Sequence, residues 1–543
     1  MKRYQMMFVV LLALVMLPMN VQAQDAETSP ILKLIQKGRI DGVRLKYPDA
    51  LQYVYKENNY QPLFVKGERR DFNRVNEFYE IFLDSWVHGF NPGRYNTPAL
   101  YDFLRKDKSD ITDEERLKTD IILSDAIIRY GRNLTGGRVS AKSVGLHKSS
   151  VKQGAVPENI LAFVSSSRSP HRALQSFAPQ GKFYQTLQNE LIRLYQNPDA
   201  NVKPIRVGRI IKPRTSHSAI PKIRERLGLS DSDLAHEATF YDDALSGAVV
   251  AFQNANGLEP DGVIGPSTMH VLNITNEQKI KQIIVNMERM RWQEEDKPPR
   301  YIMVNIPSET LWAVDRGRTE IQMPVVVGTP KRPTKSFVTN ITGVRINPTW
   351  TIPPTIKKED FVSKLKEDAN YLQDRGIKLY HGKEPVDATL VDWTAAEEAG
   401  ELGQFRMVQG SGSSNPLGKY RVIMNNPYNI YLHDTPKKSL FSRSNRALSS
   451  GCVRLQDAEA VVDFIMEKND DWSEEKKQNI LAKGKLREVY NEEPLPVYLQ
   501  YQTMWLGDSD NLVFGRDIYK EDAILFSQLK KQGDIYLPED RGI

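Results

Sequence analysis

The chain has 543 residues, 40% of them hydrophobic and 26% charged, an ordinary globular composition that excludes collagen-like, wholly disordered and polytopic membrane proteins. Its 74 basic and 68 acidic residues leave a net charge of +6, too slight an excess for a nucleic-acid binder, and the single cysteine, Cys452, excludes intramolecular disulfides and cysteine-based metal or iron–sulfur sites. At roughly 100–200 residues per domain, two to four domains are expected.

Lys2 and Arg3 precede an apolar run from Met6 to Met19 that only Pro18 interrupts, and Val21-Gln22-Ala23 then supplies small residues before a polar stretch. This pattern predicts a secretory signal peptide over residues 1–23, with an uncleaved inner-membrane anchor as the alternative. Elsewhere no stretch reaches the roughly 18–20 apolar residues that a helix needs to cross a bilayer. The expectation is an exported, otherwise soluble chain. An unpaired thiol oxidises readily outside the cytosol, so Cys452 is either buried as a small hydrophobe or kept for its reactivity.

Residues 24–218 predict a mainly helical scaffold, from apolar residues at three- and four-residue steps such as Val75, Phe78 and Phe82, or Leu123, Ala126 and Ile127. The short patterns Tyr60–Phe64, His88–Pro92 and Gly136–Val139 within it carry no evident chemistry, and His88 beside Gly89 reads as a loop or helix-end residue. Residues 203–226 are strongly basic, either a solvated face or a surface that meets an anionic polymer. Residues 219–273 form a compact unit of three short helices. Ile223 and Leu227 lie on the first, and Leu245, Ala248, Val249 and Phe252 form the buried face of the second. A turn follows at 257–262, and Pro266 opens the third helix. This run resembles the small three-helix peptidoglycan-binding module, which implies binding and not catalysis. A helix or linker over 274–299 leads out of it.

From residue 300 the hydrophobic period changes. Tyr301–Ile306, Thr310–Val314, Ile321–Val327, Phe337–Ile346, Tyr420–Met424 and Asn429–Leu432 are short segments rich in β-branched and aromatic residues. They predict a β domain over 300–500, a sandwich or partly open barrel. A charged, helical-looking insertion at about 355–402 is long for a passive loop and is expected to be a lid or binding element. After Cys452 comes an amphipathic helix with Asp457 near its start and Val461, Val462 and Ile465 on one face. Residues 501–543 form a C-terminal segment that packs on earlier domains. The expected fold is multidomain α+β: helical scaffold, three-helix module, and β-rich domain with a helical insertion.

The chemistry gathers in Tyr431-Leu432-His433-Asp434 and Ser449-Ser450-Gly451-Cys452-Val453-Arg454. A cysteine is a useful nucleophile as its thiolate, which an imidazole or a helix N-terminus stabilises. His433 ends a predicted strand, and Cys452 sits just before the predicted helix. Gly451 lets the backbone turn tightly, making the N–H groups around Gly451 and Cys452 oxyanion-hole candidates. Arg454 is permanently charged and suits either a substrate carboxylate or a fixed structural acid. His147, His171, His217, His236, His270 and His381 are scattered without ligand spacing, and Trp292, Trp312, Trp350 and Trp393 are expected to pack. No HExxH and no P-loop is present, so neither metal nor nucleotide cofactor is expected.

His…Ser-x-Gly-Cys-x-Arg resembles the signature of L,D-transpeptidases with the YkuD-type catalytic domain, and the accompanying scaffold, module and insertion resemble the large YcbB-like branch. Where many small members carry a histidine before Gly-Cys, this chain has Ser450. The resemblance implies a periplasmic enzyme of peptidoglycan cross-linking. Cys452 would attack the bond between the third-position diamino acid and D-Ala of a tetrapeptide stem, D-Ala would leave, and the thioester would pass to the side-chain amine of another stem. His433 would serve as general base and acid, with Ser450 and Tyr431 as site support. Peptidoglycan stem peptides and glycan are the implied partners, with carbapenem-type β-lactams as covalent inhibitors and other cell-wall synthesis enzymes as further candidates. An L,D-carboxypeptidase that uses water as acceptor and a non-catalytic peptidoglycan-binding protein are the alternatives.

Overall fold

In the computed structural model, which describes residues 29–145, 152, 154–196, 203–229, 237–256, 258–294, 296–507 and 510–536, the chain divides into two contact units. The signal peptide expected over 1–23, together with His147, His236 and Gly257, lies outside the described residues. None of the described helices is long and apolar enough to cross a membrane.

The first unit takes residues up to 81, 95–129 and 156–171. It gathers helices Pro30–Gln36, Pro48–Glu57, Thr97–Leu104 and Pro157–Ser166 with most of Asp71–Leu83 and the N-terminal part of Asp113–Gly136. Its organiser is Asp120, wholly buried on the last of these helices. The carboxylate accepts the backbone N–H groups of Leu63, Phe64 and Val65 at 2.9, 2.7 and 2.8 Å and the Tyr55 hydroxyl at 2.5 Å. A bend with no ladder of its own thereby has its donors satisfied. That accounts for the Tyr60–Phe64 pattern, which is architectural.

The second unit holds residues 82–94, 130–155 and the chain from 172 onward. His88 ends a 3₁₀ turn before Gly89 and is buried beside the Tyr184 hydroxyl at 2.9 Å, in a packing role. The three-helix module consists of Ile220–Arg226, Asp243–Ala255 and Pro266–Asn273. Its core also takes in Ile205 and Ile211, so the fold begins before 219, the boundary that helical periodicity suggests. Ile205 is held through its backbone by the Asn273 amide, at 2.7 and 2.8 Å, a contact that leaves no periodic trace. Gln253 bonds Asp261 Oδ1 and the Val263 carbonyl and accepts the Gly262 N–H, so the Phe-Gln and Asp-Gly parts of the motif are one clamp.

The β-rich domain has strands β1 Arg300–Asn305, β2 Thr310–Asp315, β3 Arg318–Gly328, β4 Phe337–Ile346, β5 Trp350–Thr351, β6 Ile377–His381, β7 Glu384–Val386, β8 Phe405–Gln409, β9 Tyr420–Met424, β10 Leu432–His433, β11 Ala447–Ser449, β12 Val453–Leu455 and β13 Arg487–Gln500. Nine of them form one sheet in the order β11-β3-β12-β10-β9-β4-β13-β1-β2, and β2 pairs back onto β3, closing it. Closure leaves few free edges and encloses a core of Ile302, Val304, Val325, Val344, Val422, Leu432, Val453 and Leu499. Helix Ala458–Met466 fills it with Val461, Val462 and Ile465, capped by Asp457, as its periodicity predicts. The C-terminal segment returns to helix Asn276–Arg291, where Asn286 and Thr503 exchange hydrogen bonds of 2.7 and 2.9 Å.

The insertion differs from expectation. It is mixed α/β, with a sheet of its own in the order β5-β8-β6-β7 and its own core of Ile352, Phe361, Val362, Leu365, Leu379, Trp393 and Met407. Its paired ends, Val408 with Thr351 and Gln409 with Trp350, put the boundaries near 350 and 409 and not at 355 and 402. The strands Ile377–His381 and Phe405–Gln409 do alternate, but each is short and embedded in charged sequence.

One stability test follows from the module. Arg224 Nη1 bonds both oxygens of Asp242 at 2.9 and 3.0 Å, with both side chains almost fully buried, and Asp242 also caps helix 243–255 through the Leu245 N–H. Asp242→Ala removes this carboxylate from a buried guanidinium and the cap from helix 243–255, so local stability of the module should fall by about 3–5 kcal/mol. Hydrogen exchange across helix 243–255 reads that loss directly.

Candidate active site

Two short strands lie side by side and parallel, with Leu432 opposite Val453 and His433 opposite Arg454. Side chains alternate along a strand, so Leu432, Val453 and Leu455 enter the core while Tyr431, His433, Cys452 and Arg454 share the other face. On the far side of β10, Arg421 pairs with His433 and stacks its guanidinium on the Tyr431 ring at 3.9 Å. The Tyr431 and His433 rings meet edge to face at 5.6 Å. Tyr431, His433, Cys452 and Arg454 are therefore on one patch, Arg421 joins it, and Ser450 and Gly451 lie in the turn before Cys452. Arg421 escaped sequence reasoning because it is one polar position in an ordinary alternating strand.

His433 is buried, and its Nδ1 lies 2.5 Å from the Asp434 carbonyl oxygen. A carbonyl only accepts, so Nδ1 carries the proton and Nε2 keeps its lone pair. Burial first, and the Arg454 charge second, hold the imidazole down from 6.5 to about 3. Asp434 is itself fixed: its carboxylate accepts the Lys419 N–H at 2.9 Å and the Lys438 ammonium at 2.8 Å. Burial pushes the Cys452 thiol up, while the Tyr431 backbone N–H and hydroxyl and the charges of Arg421 and Arg454 pull the other way. The Cys452 Sγ–H points to the Asn429 carbonyl across a long 3.9 Å. Thiol and imidazole are thus both held in their neutral forms.

The loop that carries the thiol is stitched backbone to side chain. Ser449 Oγ donates to the Cys452 carbonyl at 2.6 Å and accepts the Gly451 N–H at 3.1 Å, and Thr334 Oγ1 donates to the Gly451 carbonyl at 2.8 Å. Gly451 has φ +113°, a conformation that L side chains rarely adopt. Gly328 lies behind it, where a Cβ would come within 2.2 Å of the Arg332 carbonyl. The Gly451 N–H is engaged, whereas the Cys452 N–H has no acceptor among the described residues, which leaves it as the donor available to an oxyanion. Helix 458–466 begins beyond β12, so its N-terminus does not abut Cys452 as periodicity suggested; the three strand residues Val453–Leu455 intervene.

Arg454 and Arg421 each bury an Nε without a hydrogen-bond partner, and neither has a carboxylate within ion-pair distance among the described residues. Of the two roles open to Arg454, the free one fits. It borders a cavity of about 510 Å³ walled by Trp350, Tyr371 and Arg375 from the insertion and by Thr435 and Lys437 from the loop after His433. Arg375 stacks on Tyr371 at 3.8 Å. Among Lys437, Lys438, Arg443 and Arg446 of that loop, Lys438 is tied to Asp434 and Arg446 to Glu309, and Lys437 alone lines the cavity, together with Arg454 and Arg375. The three acids Glu459, Asp463 and Glu474, grouped closely enough for a metal, instead surround the buried Lys477 ammonium at 2.7–2.8 Å.

Comparison with known proteins meets this geometry. Residues 299–477 match the family described as "L,D-transpeptidase catalytic domain" (YkuD), residues 225–272 match "Putative peptidoglycan binding domain", and residues 49–191 match "Scaffold domain". A Haemophilus influenzae protein described as "Putative L,D-transpeptidase" is 35% identical over 222 residues, a match that spans 41% of this chain and 44% of that relative. Solved L,D-transpeptidase structures from Xylanimonas cellulosilytica and Stackebrandtia nassauensis are similar at 14% and 13% identity, each with a TM-score of 0.19, over 54% and 53% of this chain and 99% and 97% of theirs. The β-rich region is a YkuD-type L,D-transpeptidase domain joined to a peptidoglycan-binding domain.

The protonation state is testable. With its folded value near 3, His433 is a neutral proton acceptor at any pH well above that, so acylation of Cys452 should show no inflection near the ordinary imidazole value of 6.5. The rate should rise only on the alkaline side, where the elevated thiol ionises. A pH profile of second-order acylation rates that bends near 6.5 contradicts a neutral His433.

Proposed function

We propose that the chain is an exported peptidoglycan L,D-transpeptidase that works by cysteine acyl transfer, with Cys452 as nucleophile and His433 as general base and acid. The observation that supports it most is the pairing of His433 with Arg454 on one side and Arg421 on the other, which gathers a neutral imidazole, two arginines and, one residue before β12, the Cys452 thiol. Residues 1–23 supply the export signal on the evidence of their sequence, and the periplasm is the compartment where stem peptides are exposed.

Nε2 of His433 takes the thiol proton as Sγ attacks the carbonyl between the third-position diamino acid and D-Ala. The Cys452 N–H meets the oxyanion, with the Tyr431 hydroxyl beside the sulfur. Collapse breaks the C–N bond, His433 returns the proton to the leaving amine, and D-Ala departs. The side-chain amine of a second stem then attacks the thioester, loses its proton to His433, and the returned proton restores the thiol. Arg454, Arg421, Lys437 and Arg375 draw and orient stem carboxylates, a task that suits the forked guanidinium. The insertion walls the cavity that Arg454 borders, and its closing over the bound stem excludes water from the thioester, which favours amine transfer over hydrolysis. The peptidoglycan-binding domain keeps the enzyme on its polymer.

Purified protein given a disaccharide tetrapeptide should release D-Ala and yield a dimer linked through two third residues, identified by mass spectrometry. Release of D-Ala with only a tripeptide product identifies a carboxypeptidase, and no release at all refutes the catalytic reading. A carbapenem should add covalently to Cys452, and His433→Ala should slow that addition by about 10²–10⁴-fold. Arg454→Ala should raise KM for the tetrapeptide more than it lowers kcat, because it removes a ground-state contact.

Deletion of residues 204–273 should weaken retention on insoluble peptidoglycan and leave carbapenem addition at Cys452 intact. Unchanged retention in a pull-down with sacculi assigns the module a structural role.

A further inference from the structure

Arg332 sits in the loop between β3 and β4 and uses every donor of its guanidinium. Nε and Nη2 bond Glu359 Oε2 at 3.0 and 2.6 Å, Nη1 and Nη2 bond Asp360 Oδ2 and Oδ1 at 2.6 Å each, and the remaining Nη1 hydrogen goes to Ser450 Oγ at 3.0 Å. Glu359 and Asp360 belong to the insertion; Ser450 immediately precedes Gly451 and Cys452. One side chain therefore bridges the insertion and the turn that carries the thiol.

Both ends of the bridge are stiff. Glu359 and Asp360 lie on a single π-helical turn, Lys357–Phe361, a form frequent at functional sites. Lys357 in that turn is buried and donates to the carbonyls of Leu402 and Phe405, which lock the turn to the opposite end of the insertion. At the other end, the Arg332 loop is braced against the thiol turn by the Thr329 N–H on the Ser449 carbonyl at 2.9 Å and by Thr334 Oγ1 between the Gly328 N–H and the Gly451 carbonyl. The Tyr519 hydroxyl donates to the Gly328 carbonyl at 2.6 Å and fixes this loop from behind.

We propose that Arg332 is a positioning residue that makes the geometry of the Ser450–Gly451–Cys452 turn depend on the seating of the insertion. Seated, the insertion presents two carboxylates that neutralise Arg332 and fix the direction of its fork, and the remaining N–H holds Ser450 so that the Cys452 N–H stays open to the oxyanion. When the insertion lifts, Glu359 and Asp360 leave with it. Arg332 then loses four of its five hydrogen bonds, and nothing else among the described residues fixes the Ser450 hydroxyl. Acylation is fast only when the roof over the donor stem is closed. The proposal rests on the reading of Cys452 as the nucleophile.

The test uses full-length Arg332→Lys, the double variant Glu359→Gln/Asp360→Asn, and their combination. Lysine keeps the charge without the fork, and the amides keep the volume without the charge. Single-turnover D-Ala release from the tetrapeptide should slow by about 10- to 100-fold in each, the size of effect expected for a small misplacement of a reacting group. KM should move less than twofold, and the combination should be no slower than its slower parent, because both changes break one bridge. Hydrogen exchange over residues 449–453 should also accelerate in the double variant, although its substitutions lie in the insertion. Wild-type release rates in the double variant, or additive losses in the combination, overturn the proposal. If the wild type itself releases no D-Ala, the nucleophile assignment fails, and the exchange measurement still decides whether the insertion controls the turn.

Discussion

The site depends on the parallel pairing of two very short strands, Leu432–His433 with Val453–Leu455. Parallel pairing needs a long crossover, and here the loop from Asp434 to Gly451 makes the return trip while β11 within it adds to β3. Only a closed sheet can hold strands this short in register, because each gains little from its own ladder. The core residues Leu432, Val453 and Leu455 are at most 1% exposed, and a one-residue slip would bury His433 and Arg454 in their place. Hydrophobic burial on one face thus sets the chemistry on the other.

Electrostatics then divides the labour. A buried imidazole and a half-buried thiol both settle in their neutral forms, since desolvation penalises charge on each. Two guanidiniums nearby cannot lose their charge, and among the described residues neither has a carboxylate within ion-pair distance. Such an arrangement is poorly stabilised when empty and better satisfied when an anion arrives. It costs folding energy at rest and returns it as binding energy, a common bargain at functional sites.

Much of this was legible in the chain. Alternation marks the strands, and the spacing Tyr431-x-His433 and Cys452-x-Arg454 already places those residues on one face of each. The module's three helices and helix 458–466 follow from their apolar periods. Three features were hidden for physical reasons. Arg421 and Arg332 act through partners 10 and 118 residues away in sequence, Tyr431 and Ser450, and nothing local distinguishes them from solvated arginines. The sheet of the insertion was masked because two of its strands have only two and three residues and the other two, though alternating, are embedded in charged sequence. Closeness of Cys452 to a helix N-terminus was overestimated because the turn and β12 add length without adding hydrophobic pattern.

The insertion enters and leaves the barrel at a single doorway, where β5 and β8 lie against each other, and it carries its own core. A body attached in that way can lose its structure without pulling apart the ladder of its host, because the bonds at the doorway belong to the insertion's own sheet. Two cooperative units of separate stability then share one polypeptide inside this domain. A family built on the same barrel could therefore gain, lose or exchange the roof by a single genetic event between residues such as Pro348 and Ser411, with the barrel left standing and a new brace needed for Arg332.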